Sequence, residues 1–459
     1  MILDEFIEFE NSSRILDYRY QYKNIMIWPY VRDLLIRKVV LASYGLLPNV
    51  EGRGKEKKYR DYVKYNTFNL PKKDILFFSP SSALIESDNQ IFDRLIDGFA
   101  RVSERDSAKI IQYNQDFNFN KLEKMGIPYS LDSFINKIIA YEGSRNKISN
   151  VEMQNINNFM EYIKKELPFD VEEGIYEAVK KQAIVVAKFF PSYYKYYKKL
   201  IDIVQPKLVI FHCGVYGLLS VKVFNDYKIV TAEYQHGSID HQWPYMYGKQ
   251  VAESIDYREH MPNYLLTWGD YWTRNINVPT KVYKIGNPEV QKNIDRLKKI
   301  KPNIDNRFNI LFVTGNDYQW CVKFVSFLLG NLSENYKIII KLHPLLPDHM
   351  CHYKKFLDTG RVEVINNGSI YDCLAICKYV IGDMSTAMYE AAAMGKDVFI
   401  MDNNELTMAC MNGDFGTLIH NGQEFIEKMN EDRGKSFNSE DFFASNWKEN
   451  YLKFLQEVL

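Results

Sequence analysis

The sequence predicts an α/β fold of two doubly wound halves, each a parallel sheet covered by helices on both faces. Three observations carry this. The chain has 459 residues, too many for one ordinary hydrophobic core, so two domains are expected. From about residue 200, short apolar runs ending in Gly, Ser, Asn or Pro alternate with stretches of helical period, the rhythm of strand–helix–strand units. That rhythm restarts after a charged connector, RLKKIKPNIDNR (296–307).

Composition sets the outer bounds. Hydrophobic residues make up 46% and charged residues 25%, the balance of a folded globular chain. The 58 basic residues match the 58 acidic ones, so no global field draws nucleic acid and any anion must be held by local groups. Six cysteines lack metal-like spacing. Cys373 and Cys377, four apart on a predicted helix, read as core packing, and a reducing cytosol is expected. No window reaches the roughly 18 to 20 apolar residues that span a bilayer. The opening MILDEFIEFENSSR is acidic where a signal peptide is basic. A cytoplasmic protein is expected.

Residues 1 to about 48 read as helical, with YVRDLLIRKVVLASYGLL carrying apolar residues at helical spacing. EGRGKEKKYRDYVKYN reads as a loop, and KKDILFFSPSS as the first buried strand. From Phe92 to about Leu200 the pattern is mainly helical. KLVIFHCG, KIVTAEYQHGS, PNYLLTWGDYW and KVYKIGNP read as strands with their loops, and VYGLLSVKVFND as a helix. In the second half FNILFVTGN, YKIIIKLHP, RVEVIN, KYVIGDMS and KDVFIMD are the strands, while WCVKFVSFLLGNL, SIYDCLAIC and TAMYEAAAMG are helices. The expected boundaries are 1–285 for a first Rossmann-like domain with a helical extension and 286–440 for a second. The amphipathic helix in 441–459 is expected to pack back on the first.

Ligands of open α/β sheets bind at the carboxyl ends of strands, beside helix N-termini. In the second half Gly315 and Asn316 follow ILFVT, where a small residue allows close approach to the backbone. His343 and Pro344 follow IIIKL. Ser385 and Thr386 follow YVIGDM and open the helix that carries Glu390. Free N–H groups and hydroxyls at a helix start form an anion site, a histidine adds a donor, and Glu390 suits vicinal hydroxyls. Taken singly, Ser385-Thr386 is also an N-cap pair, His343-Pro344 a turn and Glu390 a solvated helix residue. Their common strand-end register favours a nucleotide-phosphate site for the set.

In the first half AEYQHGSIDHQWPY is the densest polar cluster. His236 follows a buried strand and precedes a glycine, which suits a general base. Glu233 and Asp240 are its acidic neighbours and share the catalytic assignment. A histidine bonded only to loop backbone is the plain alternative. His212, ending LVIF, is a second candidate. Gly286 to Pro288 reads as the inter-domain turn. Walker A, GxGxxG, HExxH, zinc-like, DxD and GxSxG patterns are absent, so leaving-group charge would be met by His343, hydroxyls and the helix dipole, without a metal or cofactor.

The order Q-H-G, then K-x-H-P, then D-x-S-[ST] opening a helix resembles the GT-B glycosyltransferase superfamily. Within it, YQHGS (234–238), KLHP (341–344) and MST (384–386) are similar to motifs of CDP-glycerol glycerophosphotransferases and of bacterial capsule sialyl- and polysialyltransferases. The resemblance spans roughly residues 205 to 420. It implies two Rossmann-like domains facing a central cleft. It also implies transfer of a sugar or polyol phosphate from a CMP- or CDP-linked donor to a cell-surface polysaccharide or glycolipid, in capsule or lipopolysaccharide synthesis. The partners are then the nucleotide-sugar and a glycan or glycolipid acceptor, with no nucleic acid. A peripheral contact with the inner membrane stays open through SYYKYYKK, which also reads as a packed helix.

The sialyltransferases place their base in an acidic D/E-D/E-G motif. Glu172-Glu173-Gly174 gives that triplet, with Asp170 read as an N-cap ahead of it, while Glu86, Asp88 and Asp93 form a looser set after the first strand. One of these carboxylates would then replace His236. The second half also resembles UDP-GlcNAc 2-epimerases, whose D-S-G-G-x-x-E-E-A segment DMSTAMYEA matches at Asp383, Glu390 and Ala391. Its two glycines are missing. An epimerase of nucleotide-sugar metabolism is the alternative function.

Overall fold

The computed structural model describes residues 2–43, 64–87, 90–112, 127–212, 218–239, 243–299, 309–315, 317–343, 346–403, 411, 415–429, 431 and 438–459. The chain divides into two compact units. The first comprises Met1–Thr267, Trp272–Ile285 and Asn446–Leu459, and the second Trp268–Tyr271 and Gly286–Ser445. Each is an α/β unit built on one main parallel sheet, so the chain carries two Rossmann-like domains.

In the first unit the strands are β1 (Ile75–Pro80), β4 (Ser107–Gln112), β5 (Tyr129–Leu131), β6 (Leu208–Phe211), β7 (Val230–Tyr234), β8 (Tyr264–Thr267) and β9 (Lys281–Lys284). They lie in the order β5-β4-β1-β6-β7-β8-β9, every neighbouring pair parallel. A two-stranded antiparallel ribbon, β2 (Leu84–Ser87) and β3 (Gln90–Asp93), follows β1. The chain runs outward from β1 to β5 on one side and from β6 to β9 on the other. The topological switch therefore falls between β1 and β6.

The region 92–200 is mainly helical, as its pattern predicts, but it also contains the short strands β4 and β5, which the pattern does not reveal. Lys109 interrupts the apolar run of β4 yet is 1% exposed. Its ammonium bonds Asp97 and lies 3.5 Å from Asp93. A buried charge is tolerated only with such partners. Strand β5 has three residues, too few to display a period.

The helical N-terminal extension consists of α1 (Ile2–Ser12), three 3-10 turns and α2 (Arg32–Ser43). A buried ion pair ties it to the unit. Arg32 Nε donates to Glu10 Oε1 at 2.7 Å, Trp28 Nε1 reaches the same oxygen at 2.8 Å, and the Gly248 N–H donates to Oε2 at 2.9 Å. The guanidinium lies 3.8 Å from the Tyr247 ring centre. Four further helices complete the layer: α3 (Asp97–Val102), α4 (Ser133–Arg145), α5 (Asn150–Glu166) and α6 (Glu173–Val204).

Helix α6 buries Ile175, Val179, Ala183, Val186, Phe190, Tyr197 and Leu200 on one stripe, at the three- and four-residue spacing of a helix face. SYYKYYKK is part of this packed helix. Glu172, not Asp170, is the N-cap, and its side chain makes no capping bond. Helix α7 (Leu218–Asp226) follows β6. The C-terminal helix returns to this unit, with Tyr451 5.0 Å from Phe99 and Phe454 5.2 Å from Tyr264, ring centre to ring centre.

The second unit opens at Gly286, whose φ of 95° suits glycine. Asn287 Oδ1 then caps helix α8 (Pro288–Lys299) by accepting from the Glu289 and Val290 N–H groups. The connector read from 296 is thus helical at its start. Strands β10 (Asn309–Val313), β11 (Lys337–Lys341), β12 (Val362–Ile365), β13 (Tyr379–Gly382), β14 (Asp397–Met401) and β15 (Thr417–Ile419) are ordered β12-β11-β10-β13-β14-β15, all parallel. Helix α9 (Gln319–Asn331) buries Trp320, Cys321, Phe324, Val325 and Leu328 against them. The switch point here lies between β10 and β13.

Candidate functional site

Both sheets present polar side chains at the carboxyl ends of the strands beside their switch points, where open α/β sheets bind ligands. Each edge is built by its own unit.

In the first unit the sheet ladder continues one residue past β6 and β7. The His212 N–H donates to Phe78 O at 3.0 Å, and the Gln235 N–H to Leu266 O at 2.9 Å. Gln235 Nε2 pins the following turn through Gly237 O at 2.9 Å. This fixed backbone brings His212 and His236 together, ring centres 4.7 Å apart and planes at 52°. Both are half-buried. Burial, and then the charge of Arg94, hold His236 down at about 4. His212 is pushed well below the usual imidazole range by burial, by His236 and by Arg94. Among the described residues, buried His236 Nδ1 has no hydrogen-bond partner, and the same holds for Ser238 Oγ. An imidazole that is neutral at neutral pH can accept a proton, and burial with the Arg94 charge makes this one a weaker base than a free imidazole.

The other predicted groups are placed as follows. Glu233 is 3% exposed on β7, and its Oε1 accepts the Tyr245 hydroxyl at 2.7 Å. Asp240 lies outside the described residues. Among the alternative carboxylates, Asp93 is 1% exposed and its Oδ1 accepts the Leu95 and Ile96 N–H groups at 3.0 and 3.1 Å. Its place in the Lys109 network makes it a structural anchor of α3. Glu172 and Glu173 are exposed at the start of α6, with Glu173 2.6 Å from Lys164. Glu86 lies on β2, paired with Ile91 of β3, and Asp88 lies outside the described residues.

In the second unit Gly315 follows β10, His343 follows β11, and Asp383 to Ser385 follow β13. A Cβ at Gly315 would stand 3.0 Å from Asp383 Oδ1, a tight contact that a larger side chain could make only by displacing the carboxylate. Ser385 caps helix α10 (Thr386–Ala393), its hydroxyl accepting the Ala387 N–H at 3.3 Å. Thr386 is half-buried in the first turn, and Glu390 is buried at 5% exposure. Glu390 is therefore not the solvated helix residue of the plain reading. His343 is exposed. Asn316 and Pro344 lie outside the described residues.

Two residues that the sequence places inside motifs without a site role, Asp383 and Lys341, belong to this edge. Asp383 is 6% exposed, and its Oδ2 accepts Trp320 Nε1 at 3.2 Å and Asn403 Nδ2 at 3.4 Å. Its Oδ1 is buried without a partner. Burial raises this carboxyl above the ordinary range, against the pull of the Asn403 and Trp320 bonds. Lys341, the last residue of β11, is also 6% exposed and donates to the carbonyls of Asn366 (2.9 Å) and Leu342 (3.3 Å). Burial lowers its ammonium from the usual lysine range. A charged residue directly after or at the end of an apolar run was the signal for both.

No family model and no curated protein sequence matches this chain. Solved structures similar to it include the UDP-GlcNAc 2-epimerase of Methanocaldococcus jannaschii in complex with UDP-GlcNAc and UDP, at 12% identity and TM-score 0.46, covering 83% of this chain and 99% of that one. The UDP-GlcNAc 2-epimerase of Neisseria meningitidis bound to UDP-GlcNAc is similar at 14% identity and TM-score 0.46, over 83% and 99%. HepE of Anabaena in complex with UDP is similar at 11% and 0.46, over 84% and 100%. Likeness at this level assigns no residue and no reaction. Among the described residues no helix is long and apolar enough to cross a membrane.

Proposed function

We propose that this protein is an enzyme of nucleotide-activated sugars that transfers a sugar or polyol phosphate, without a metal, to a hydroxyl of a glycan or glycolipid acceptor. One observation carries the proposal. A histidine held neutral by burial and by Arg94 follows the carboxyl end of β7, one strand from the switch point of the first sheet and in ring contact with His212 after β6.

In this reading His236 accepts the proton of the acceptor hydroxyl as its oxygen bonds the donor carbon or phosphorus. The bond to the nucleotide phosphate breaks, and the phosphate departs with the electron pair. The second unit receives that charge at the N–H groups and hydroxyls of Ser385 and Thr386, with His343 as a further donor. Gly315 keeps the approach to the backbone open, and Glu390 takes sugar or ribose hydroxyls. Among the acidic partners assigned with His236, Glu233 is held by Tyr245 and serves to position β7. By the resemblance of its motifs the donor is a cytidine nucleotide. The product would belong to capsule or lipopolysaccharide synthesis, made at the inner face of the membrane.

A second reading, turnover of UDP-GlcNAc by a 2-epimerase-like reaction, is supported by Asp383 and Glu390. These are the two acidic positions that the segment shares with the epimerase pattern, and both are buried at one strand–helix junction. It needs no acceptor, which separates the two readings in one assay. UDP-GlcNAc, the compound bound in two of the similar structures, is the first sugar nucleotide to incubate alone.

The test of nucleotide binding is thermal. At a hundredfold excess over Kd a nucleotide stabilises by about 2.7 kcal/mol. CMP, CDP or UDP is expected to raise the melting temperature, and His343→Ala to weaken that shift. No shift with any of the three would end the proposal.

A further inference from the structure

The first unit contains a cavity of about 450 Å³, within the range of small-molecule sites, that takes no part in the chemistry above. Three regions wall it. Tyr30, Asp33 and Arg37 come from the N-terminal extension. Gln182, Phe189, Tyr193 and Tyr197 come from α6. Gln112, Asp132, Asn136 and Ser220 come from the ends of β4 and β5 and the starts of α4 and α7. These last residues place the cavity at the carboxyl edge of the sheet, the edge that also carries His212 and His236.

The chemistry of the wall is specific. Amides, carboxylates and phenols share the lining with the aliphatic side chains of Leu34, Val185, Val186, Leu218 and Leu219, a mixed surface that suits a ring with hydroxyls at its rim and C–H groups on its faces. Charge is nearly absent as a free resource. Arg37 is paired with Asp33 one helical turn away, and Asp132 Oδ2 accepts from Asn136 Nδ2 at 2.8 Å. The lining has two carboxylates and one guanidinium, so a bound phosphate or carboxylate would meet net repulsion.

Resting on the transferase reading, we propose that this cavity binds an uncharged, polyhydroxylated glycan, the part of the acceptor behind its reacting end. Its position also sets a length. Strand β4 is three strand spacings from β7, about 14 Å at 4.8 Å each. That exceeds one pyranose ring, so an acceptor that fills the cavity and reaches His236 has at least two sugar residues. The N-terminal extension, clamped by Glu10 and Arg32, then has a binding role as one wall of the site.

The test uses the full chain on an array of immobilised oligosaccharides, neutral, sialylated and phosphorylated, without nucleotide. Binding to neutral oligosaccharides is expected, and at least a tenfold loss with Gln182→Trp, which fills the cavity, and with Asn136→Ala, which removes an amide but leaves the space. The nucleotide-induced melting shift reads the second unit and serves as the folding control for both variants. Preference for sialylated or phosphorylated glycans would overturn the inference. So would the absence of any neutral-glycan binding, or binding that both variants retain. A failed array with an intact nucleotide shift discards the cavity and leaves the proposed function standing; the reverse pattern discards the function alone.

Discussion

Replacing Arg94 by leucine should move the acid limb of the pH–rate profile. His236 is held at about 4, first by burial and then by the Arg94 charge, against an ordinary value of 6.5. A group that must be neutral to accept a proton is then still mostly neutral at pH 5.5, where an unperturbed imidazole would be mostly protonated. Turnover of the nucleotide-sugar, followed by nucleotide release from pH 4.5 to 8, should therefore be nearly flat down to pH 5.5. In Arg94→Leu the burial remains and the like charge is gone, so the limb should rise toward 6.5 without reaching it. The control is far-UV circular dichroism at each pH. A limb at 6.5 in the unmodified protein, or one that Arg94→Leu leaves in place, would refute the assignment of His236 as the neutral base.

Stability should fall on the acid side in a defined window. The folded-state values of His236 (about 4) and His260 (about 3) lie below the ordinary 6.5, so the unfolded chain binds more protons. Their contribution is complete above pH 6.5 and lost as pH falls through the folded values, by up to roughly 1.4 kcal/mol per pH unit for each group; urea midpoints that do not change between pH 7 and 5 would contradict it. Glu10→Ala leaves Arg32 buried without its partner and should cost about 3–5 kcal/mol, read as a lower melting temperature, while a shift under about 2 °C would discount the clamp. Gly315→Val places a side chain against Asp383 and should weaken nucleotide binding at least tenfold by calorimetry; an unchanged Kd would remove that loop from the nucleotide site.

The α/β class was legible because parallel strands buried on both faces read as unbroken apolar runs. ILFF, LVIF, NILFV, KIIIK and YVIG all emerged as strands for that reason. Strand β4 was not, because its central lysine is buried by an ion pair that only the folded chain assembles. Strand β5 has too few residues to show a period. In the extension a helical pattern resolves into two helices joined by 3-10 turns, with Pro29 in the last of them; apolar spacing alone does not register that break. At the candidate sites, residues after strand ends could be named from sequence. Burial could not be read there, and burial is what distinguishes Asp383, Lys341 and the His212–His236 pair from ordinary turn residues. Two separate strands bring the imidazoles together, so a sequence separation of 24 residues conceals a contact of 4.7 Å.

The central claim is that His236 performs proton transfer on a nucleotide-activated sugar bound by the second unit. The most direct test incubates the protein and His236→Ala with CMP-, CDP- and UDP-linked sugars, with and without a neutral oligosaccharide acceptor, and measures nucleotide release and nucleotide Kd together. Acceptor-dependent release is expected, falling by about 10²–10⁴-fold in the variant at unchanged Kd. Release at the same rate in His236→Ala, or no turnover of any donor by the unmodified protein, would contradict it.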